Sequence, residues 1–373
     1  MTEVSRQMYT EATMPMSVAE AAALLHRYGQ FRTLGDILRA FSGRDNPKSM
    51  IVDGLMANTP SGNRDSMDKK VRNWLGGKTY SISKRDAFEI SRIFGLNLVQ
   101  MDEFLKQVTG EGIHWRDPEE IIWCYAAANN LPHDRTLSLL DRVVPLKKRT
   151  KSAPKPTEDA FTSEVKDKIL PLLNRTEEEL LEYLSQTCHT LGAFHNTAYR
   201  LFMWYLKLLE SGGGEEESRM SAQSILESYF YRQLVPVSKR NDAKEKNAFS
   251  GVQRSIRMSW PDEATLSKMK SRELDVPRKV LILLFLATDG SESEYEELDE
   301  DEDILTRDEI FLNIYTRINR MLHVCGFQLL DPRNPFDWMV LYCICVDDLW
   351  DVDRRLRDML NAIFPVGNEK QPS

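Results

Sequence analysis

Three features of the sequence predict an all-α fold. Apolar residues recur at helical spacing through nearly the whole chain, and the alternating pattern of a half-buried strand is almost absent. The periodic segments are closed by capping side chains, glycines and Asp-Pro turns, the usual punctuation of helices. At 373 residues the chain exceeds what one core usually organises, so two domains are expected.

Taken in order, Ser17 and Glu20 have capping-box spacing and open a helix over 18–28, supported by Ala19 and the alanines at 21–23. A helix over 34–41 is closed by Gly43, and Pro47 suits the first position of a helix over 47–56. The Ser61-Gly62-Asn63 break precedes a helix over 66–75, with Met67, Val71, Trp74 and Leu75 on one face and Gly76-Gly77 at its end. Ser83 caps a helix over 84–94, a helix over 98–108 stops at Gly110, and Asp117-Pro118 opens one over 119–128. Residues 1–145 therefore read as a first helical domain. Residues 146–157, basic and rich in Pro and Ser, read as a linker.

Residues 158–373 read as a second, multi-helix bundle domain. Its helices are expected over 159–173, 177–190, 195–209, 221–234, 249–258 and 278–287. Nine acids crowd the stretch 292–303, within a loop over 289–303 that is too charged to bury and is expected to be disordered. Thr306 then opens a long helix with Phe311, Ile314, Ile318, Met321, Leu322 and Cys325 on one face, ended by Gly326. Helices over 336–346 and 354–363 complete the domain. An internal echo links the two domains: a helix, a glycine stop (Gly110, Gly326), an Asp-Pro turn (Asp117-Pro118, Asp331-Pro332) and an aromatic helix. The spacing from glycine to Cys124 or Cys343 differs, which favours a shared packing solution over a true repeat.

The formal net charge of -8 is concentrated in the acidic stretch and leaves the rest near neutral. The five cysteines include no CxxC pair and read as reduced thiols in a cytoplasmic protein. Cys188, His189 and His195 match no zinc spacing, and 299–303 lacks the glycine and closing glutamate of a calcium loop. There is no phosphate-cradling glycine loop and no nucleophile with an evident base, so no enzyme activity, metal or cofactor is expected. The longest apolar run, 280–287, is too short to span a bilayer, and the polar N-terminus with Glu3 and Glu11 does not read as a signal peptide.

The functional signal lies in Val71-Arg72-Asn73-Trp74-Leu75-Gly76-Gly77-Lys78, followed by Ser83-Lys84-Arg85-Asp86 through Ile90, Phe94-Gly95-Leu96 and 101–105. This succession resembles the repressor-type (lambda repressor/Cro-like, XRE) helix-turn-helix family over residues 31–110. The connection over 58–65 is longer than the family's tight turn, and Ile90 falls one residue early. Between 61 and 100, eight basic residues face four acids, a local excess suited to phosphate. The candidate DNA-binding residues are Arg64, Lys69, Lys70, Arg72, Asn73, Lys78, Ser83, Lys84 and Arg85. The resemblance implies that Lys69, Lys70, Arg72 and Asn73 enter the major groove of double-stranded DNA. It also implies that Lys78, Lys84 and Arg85 meet phosphates, with Ser83 and its helix start adding backbone N–H contacts. The function expected is a bacterial transcriptional regulator, dimeric through its C-terminal domain. The alternative is an α-helical protein-interaction scaffold without DNA binding.

Overall fold

The computed structural model describes residues 2–27, 31–59, 62–77, 82–149, 162–188, 191–192, 194–211, 251–258, 260–288, 306–347 and 351–364. The fold is all-α, and among these residues the only extended pairing is an isolated bridge between Glu111 and Phe327. The helices are α1 (Glu3–Thr13), α2 (Val18–Arg27), α3 (Leu34–Ser42), α4 (Lys48–Asn58), α5 (Arg64–Leu75) and α6 (Lys84–Ile93). They continue as α7 (Leu98–Thr109), α8 (Pro118–Ala128), α9 (His133–Arg149), α10 (Thr162–Ile169), α11 (Glu177–Gln186) and α12 (Asn196–Ser211). The remainder are α13 (Gly251–Arg257), α14 (Glu263–Lys270), α15 (Arg278–Ala287), α16 (Arg307–Val324), α17 (Pro335–Cys343) and α18 (Asp351–Ile363). The helix expected over 221–234 and the acidic loop over 289–303 lie outside the described residues.

Two compact units are present, and they do not follow the expected cut. The first comprises residues 1–31, 198–321 and 329–373; the second comprises 32–197 and 322–328. The N-terminal helices belong with the C-terminal ones because they complete the same core. Met8, Ala12, Ala21, Ala22 and Leu25 are buried, Trp338 Nε1 donates to the Met8 carbonyl at 3.1 Å, and Tyr342 donates to the Met16 carbonyl at 3.1 Å. Residues 162–188 join the second unit for a similar reason. Tyr125 donates to the Arg175 carbonyl, Asn129 to the Leu173 carbonyl, and Arg135 pairs with Glu177. The basic linker expected to begin at 146 instead starts as helix, since α9 runs to Arg149 with Pro145 inside it.

Each unit is organised around a helix that is apolar on nearly every side, the signature of a central helix. In the second unit this is α8, where Pro118 and 120–126 are buried. In the first it is α17, buried at every position, with α15 almost as enclosed. The two central helices are fixed by the same device. Each starts with a proline, and each carries a buried acid at its third position, Glu120 in α8 and Asp337 in α17. Each acid accepts a backbone N–H from six residues upstream, His114 onto Glu120 at 2.7 Å and Asp331 onto Asp337 at 2.9 Å. Each is paired with the cation that begins an earlier helix: Lys84 of α6 at 2.8 Å, and Arg278 of α15 at 2.7 and 2.8 Å. The sequence echo is therefore deeper than a shared turn, and the equivalent positions are the acids rather than the cysteines.

The glycine stops of the echo also meet inside the second unit. Gly110 and Gly326 both adopt left-handed backbone, φ 85° and 75°, which favours glycine. Gly112 N–H donates to the Gly326 carbonyl at 3.0 Å, and Gln328 N–H to the Gly110 carbonyl at 3.2 Å. All five cysteines are free thiols, four of them buried. No helix among the described residues is long and apolar enough to cross a membrane.

Removing one member of the Arg278–Asp337 pair strands a buried charge. Asp337→Ala is expected to cost about 3–5 kcal/mol, whereas Arg278→Met with Asp337→Leu together is expected to cost far less than either change alone. Urea unfolding followed by tryptophan fluorescence checks this; equal cost for the single and double variants would show that the pair does not act as a unit.

Candidate nucleic-acid interface

α5 is held by its apolar side. Val71 and Trp74 are buried, and Met67 and Leu75 pack against the same core at its edge. Its start is fixed by Asn63, whose side chain accepts the Ser66 N–H at 3.0 Å, so the helix begins two residues before the expected position. Its end sits close to α3 because Gly35 has no side chain: a Cβ there would stand 2.4 Å from the Leu75 carbonyl oxygen. α5 packs on α3 and α4, and α6 packs on α4 and α7. Helices α3 to α7 follow one another over the stretch in which the sequence resemblance lies. The link from Asn58 to Arg64 remains longer than a tight turn.

The opposite side of α5 faces solvent. Lys69 is exposed and Asn73 half-buried. Lys70 is 43% exposed and Arg72 is 67% exposed, but neither is free. The Lys70 ammonium lies 2.8 Å from Asp86 and 5.0 Å from the Trp74 ring centre. Arg72 reaches Asp68 at 2.8 Å, and Asp68 also takes Lys48 at 2.7 Å. Hydrogen bonds from Lys48 and then Arg72 hold the Asp68 carboxyl below its ordinary value. Arg64 pairs with Asp53 at 2.5 Å, and Arg85 with Glu89 at 3.2 Å.

Two expected contacts are redirected. Ser83 spends its hydroxyl as the cap of α6, accepting the Asp86 N–H at 3.1 Å and donating to the Asp86 carboxylate at 2.7 Å. Its side chain is thereby committed to the helix, although it stays exposed. Lys84 is already paired with two carboxylates. Its side chain, about a quarter exposed, is held between Glu120 at 2.8 Å and Glu111 at 3.4 Å. Burial alone would lower its pKa, but the two carboxylates outweigh burial and hold the ammonium above its ordinary value. Lys78 lies outside the described residues.

The acids that answer these cations differ in how far the sequence announces them. Two partnerships, Asp68 with Arg72 and Arg85 with Glu89, are four residues apart within one helix and are legible as helical pairs. Those of Lys48 with Asp68, Lys70 with Asp86 and Arg64 with Asp53 join different helices and leave no local signal. Among the described residues no group of three or more His, Cys, Asp or Glu is arranged to hold a metal. No protein-family model, curated protein or solved structure matches the chain.

The two kinds of cation respond differently to removal. Lys84→Met leaves the buried Glu120 without its cation and is expected to cost about 3 kcal/mol, whereas Arg72→Ala, at an exposed pair, is expected to cost under about 1 kcal/mol. Thermal and urea unfolding of the two variants measure the difference; comparable losses would contradict the role of Lys84 as the partner of buried Glu120.

Proposed function

We propose that the chain is a non-enzymatic, DNA-binding transcriptional regulator of bacterial type. Its α5 meets the major groove of double-stranded DNA, and it acts in the cytoplasm as a homodimer through its C-terminal region. The observation that carries this reading is the division of α5: Val71 and Trp74 anchor the helix, while Lys69, Lys70, Arg72 and Asn73 stand on the side left to solvent. A duplex needs such a row, because phosphate contacts supply affinity and Arg, Lys and Asn match base edges. The dimer follows from the two half-sites that modules of this kind usually need. The residues assigned to DNA are Lys69, Lys70, Arg72 and Asn73, with Arg64 and Arg85 at the flanks; Lys84 is removed from the set.

A second reading is favoured by the ion pairs. Arg64, Lys70, Arg72 and Arg85 each already rest on a carboxylate, as expected of a solvated helical face in a protein-interaction scaffold. Exposed pairs of this kind are worth only about 0–1 kcal/mol, so phosphates can replace the carboxylates at small cost.

Fluorescence anisotropy on fragments of the source genome, titrated with salt, tests the proposal. Each phosphate deprived of its cation lowers the slope of log K against log salt by about 0.9, so the Lys69→Ala, Lys70→Ala, Arg72→Ala triple variant should flatten it by up to about 3. Asp68→Asn with Asp86→Asn should strengthen binding, because it releases Arg72 and Lys70. Salt-insensitive binding, or binding unmoved by both sets of changes, would transfer the function to the scaffold reading.

A further inference from the structure

A cavity of about 430 Å³ lies within the second unit, where α4, α6, α8 and the start of α9 converge. This volume falls within the range of small-molecule sites. Its apolar lining includes Ile93, Leu96, Trp123 and Leu131, with Ala57 and Ala127 leaving the space open. Trp123 is held rigid from behind by Phe88, stacked at 5.9 Å with the rings 10° apart.

Three charged or titratable side chains, Arg92, His133 and Glu89, also line it. The Arg92 guanidinium is half-buried, donating through Nη1 to Thr136 Oγ1 at 3.0 Å and through Nη2 to the Leu131 carbonyl. It lies 5.9 Å from the Trp123 ring centre. Among the described residues no carboxylate stands within ion-pair distance of it, since Glu89, one turn earlier, is taken by Arg85 at 3.2 Å. His133, the first residue of α9, sits with its ring 6.4 Å from Trp123. Its Nδ1 is shielded from water and has no hydrogen-bond partner.

A half-buried cation with no carboxylate within ion-pair distance is a cost, eased only in part by the charge of nearby Glu89. One anionic group seated on Arg92 would relieve it, whereas His133 Nδ1, closed to solvent, lies out of its reach. Glu89 on the same wall limits the charge of that group, because a dianion such as phosphate would be repelled more than a monoanion. The apolar lining calls for a compact apolar body attached to it.

We propose that this cavity binds a small organic monocarboxylate, its carboxylate on Arg92 and its apolar body against Ile93, Leu96, Trp123 and Leu131. The assignment is independent of the DNA reading.

Saturation-transfer NMR and calorimetry on the full-length chain test it, with benzoate and indole-3-acetate as probes and benzamide as the uncharged control. The carboxylates are expected to bind at least about tenfold more tightly than benzamide. Arg92→Gln should abolish that preference. Because Arg92 also ties Leu131 and Thr136, Ala57→Phe serves as a second variant: it fills the cavity from an exposed position of α4 and should weaken both carboxylates by about tenfold or more. Failure of both carboxylates to bind at millimolar concentration overturns the proposal. So does equal binding of benzamide, or carboxylate binding unchanged in Ala57→Phe.

Discussion

A helix that is apolar on every side has no preferred face toward its neighbours, because hydrophobic burial is non-directional. α8 and α17 are such helices, and each unit is built around one of them. What removes the ambiguity is one carboxylate at the third position. Glu120 and Asp337 are too costly to bury unpaired, so each helix must be rotated until its acid meets one cation and one upstream backbone N–H. A rotation by a single residue, about 100°, would pull the acid away from both. Replacing a buried pair by apolar groups is often neutral in energy. The role of the pair is therefore to select one packing among many that bury similar area.

The same constraint accounts for the cations. Lys84 and Arg278 each begin a helix, where a positive charge meets the unfavourable end of the helix dipole. A basic residue placed there for solubility alone would be better replaced by an acid. Its presence makes sense once the buried carboxylate of the central helix is seen beside it.

Much of the fold is legible in the sequence because helix signals are local. The helix of Arg278–Ala287 has the bounds its apolar run suggests, and Ser83, Gly110 and Asp117 cap where their chemistry requires. α1 escapes such a reading, since only Met8, Ala12 and Ser5 of its eleven residues are buried and most of the rest is polar. The domain boundary escapes it for a related reason. The linker-like composition of 146–157 is real, but composition does not say which core the flanking helices complete, and α1 and α2 complete one that is remote in sequence. The candidate site is legible as a pattern of charge, and its partners are legible only where they lie four residues apart on one helix.

That distinction decides how the cationic face is to be judged. Counting charges between residues 61 and 100 treats Lys84 and Arg72 as equivalent, yet they differ in what a phosphate would have to displace. Arg72 is two-thirds exposed and holds an acid that also has Lys48, so its release leaves Asp68 still paired. Lys70 is less exposed and also covers the Trp74 ring, so moving it uncovers part of the anchor of α5. Lys84 would leave the buried carboxylate of Glu120 and the part-exposed one of Glu111 behind. The cost of engaging a polyanion therefore rises from Arg72 through Lys70 to Lys84, where it exceeds what one phosphate contact returns. On the proposed reading, a duplex approaching α5 would engage Arg72 before Lys70 and leave Lys84 with its carboxylates.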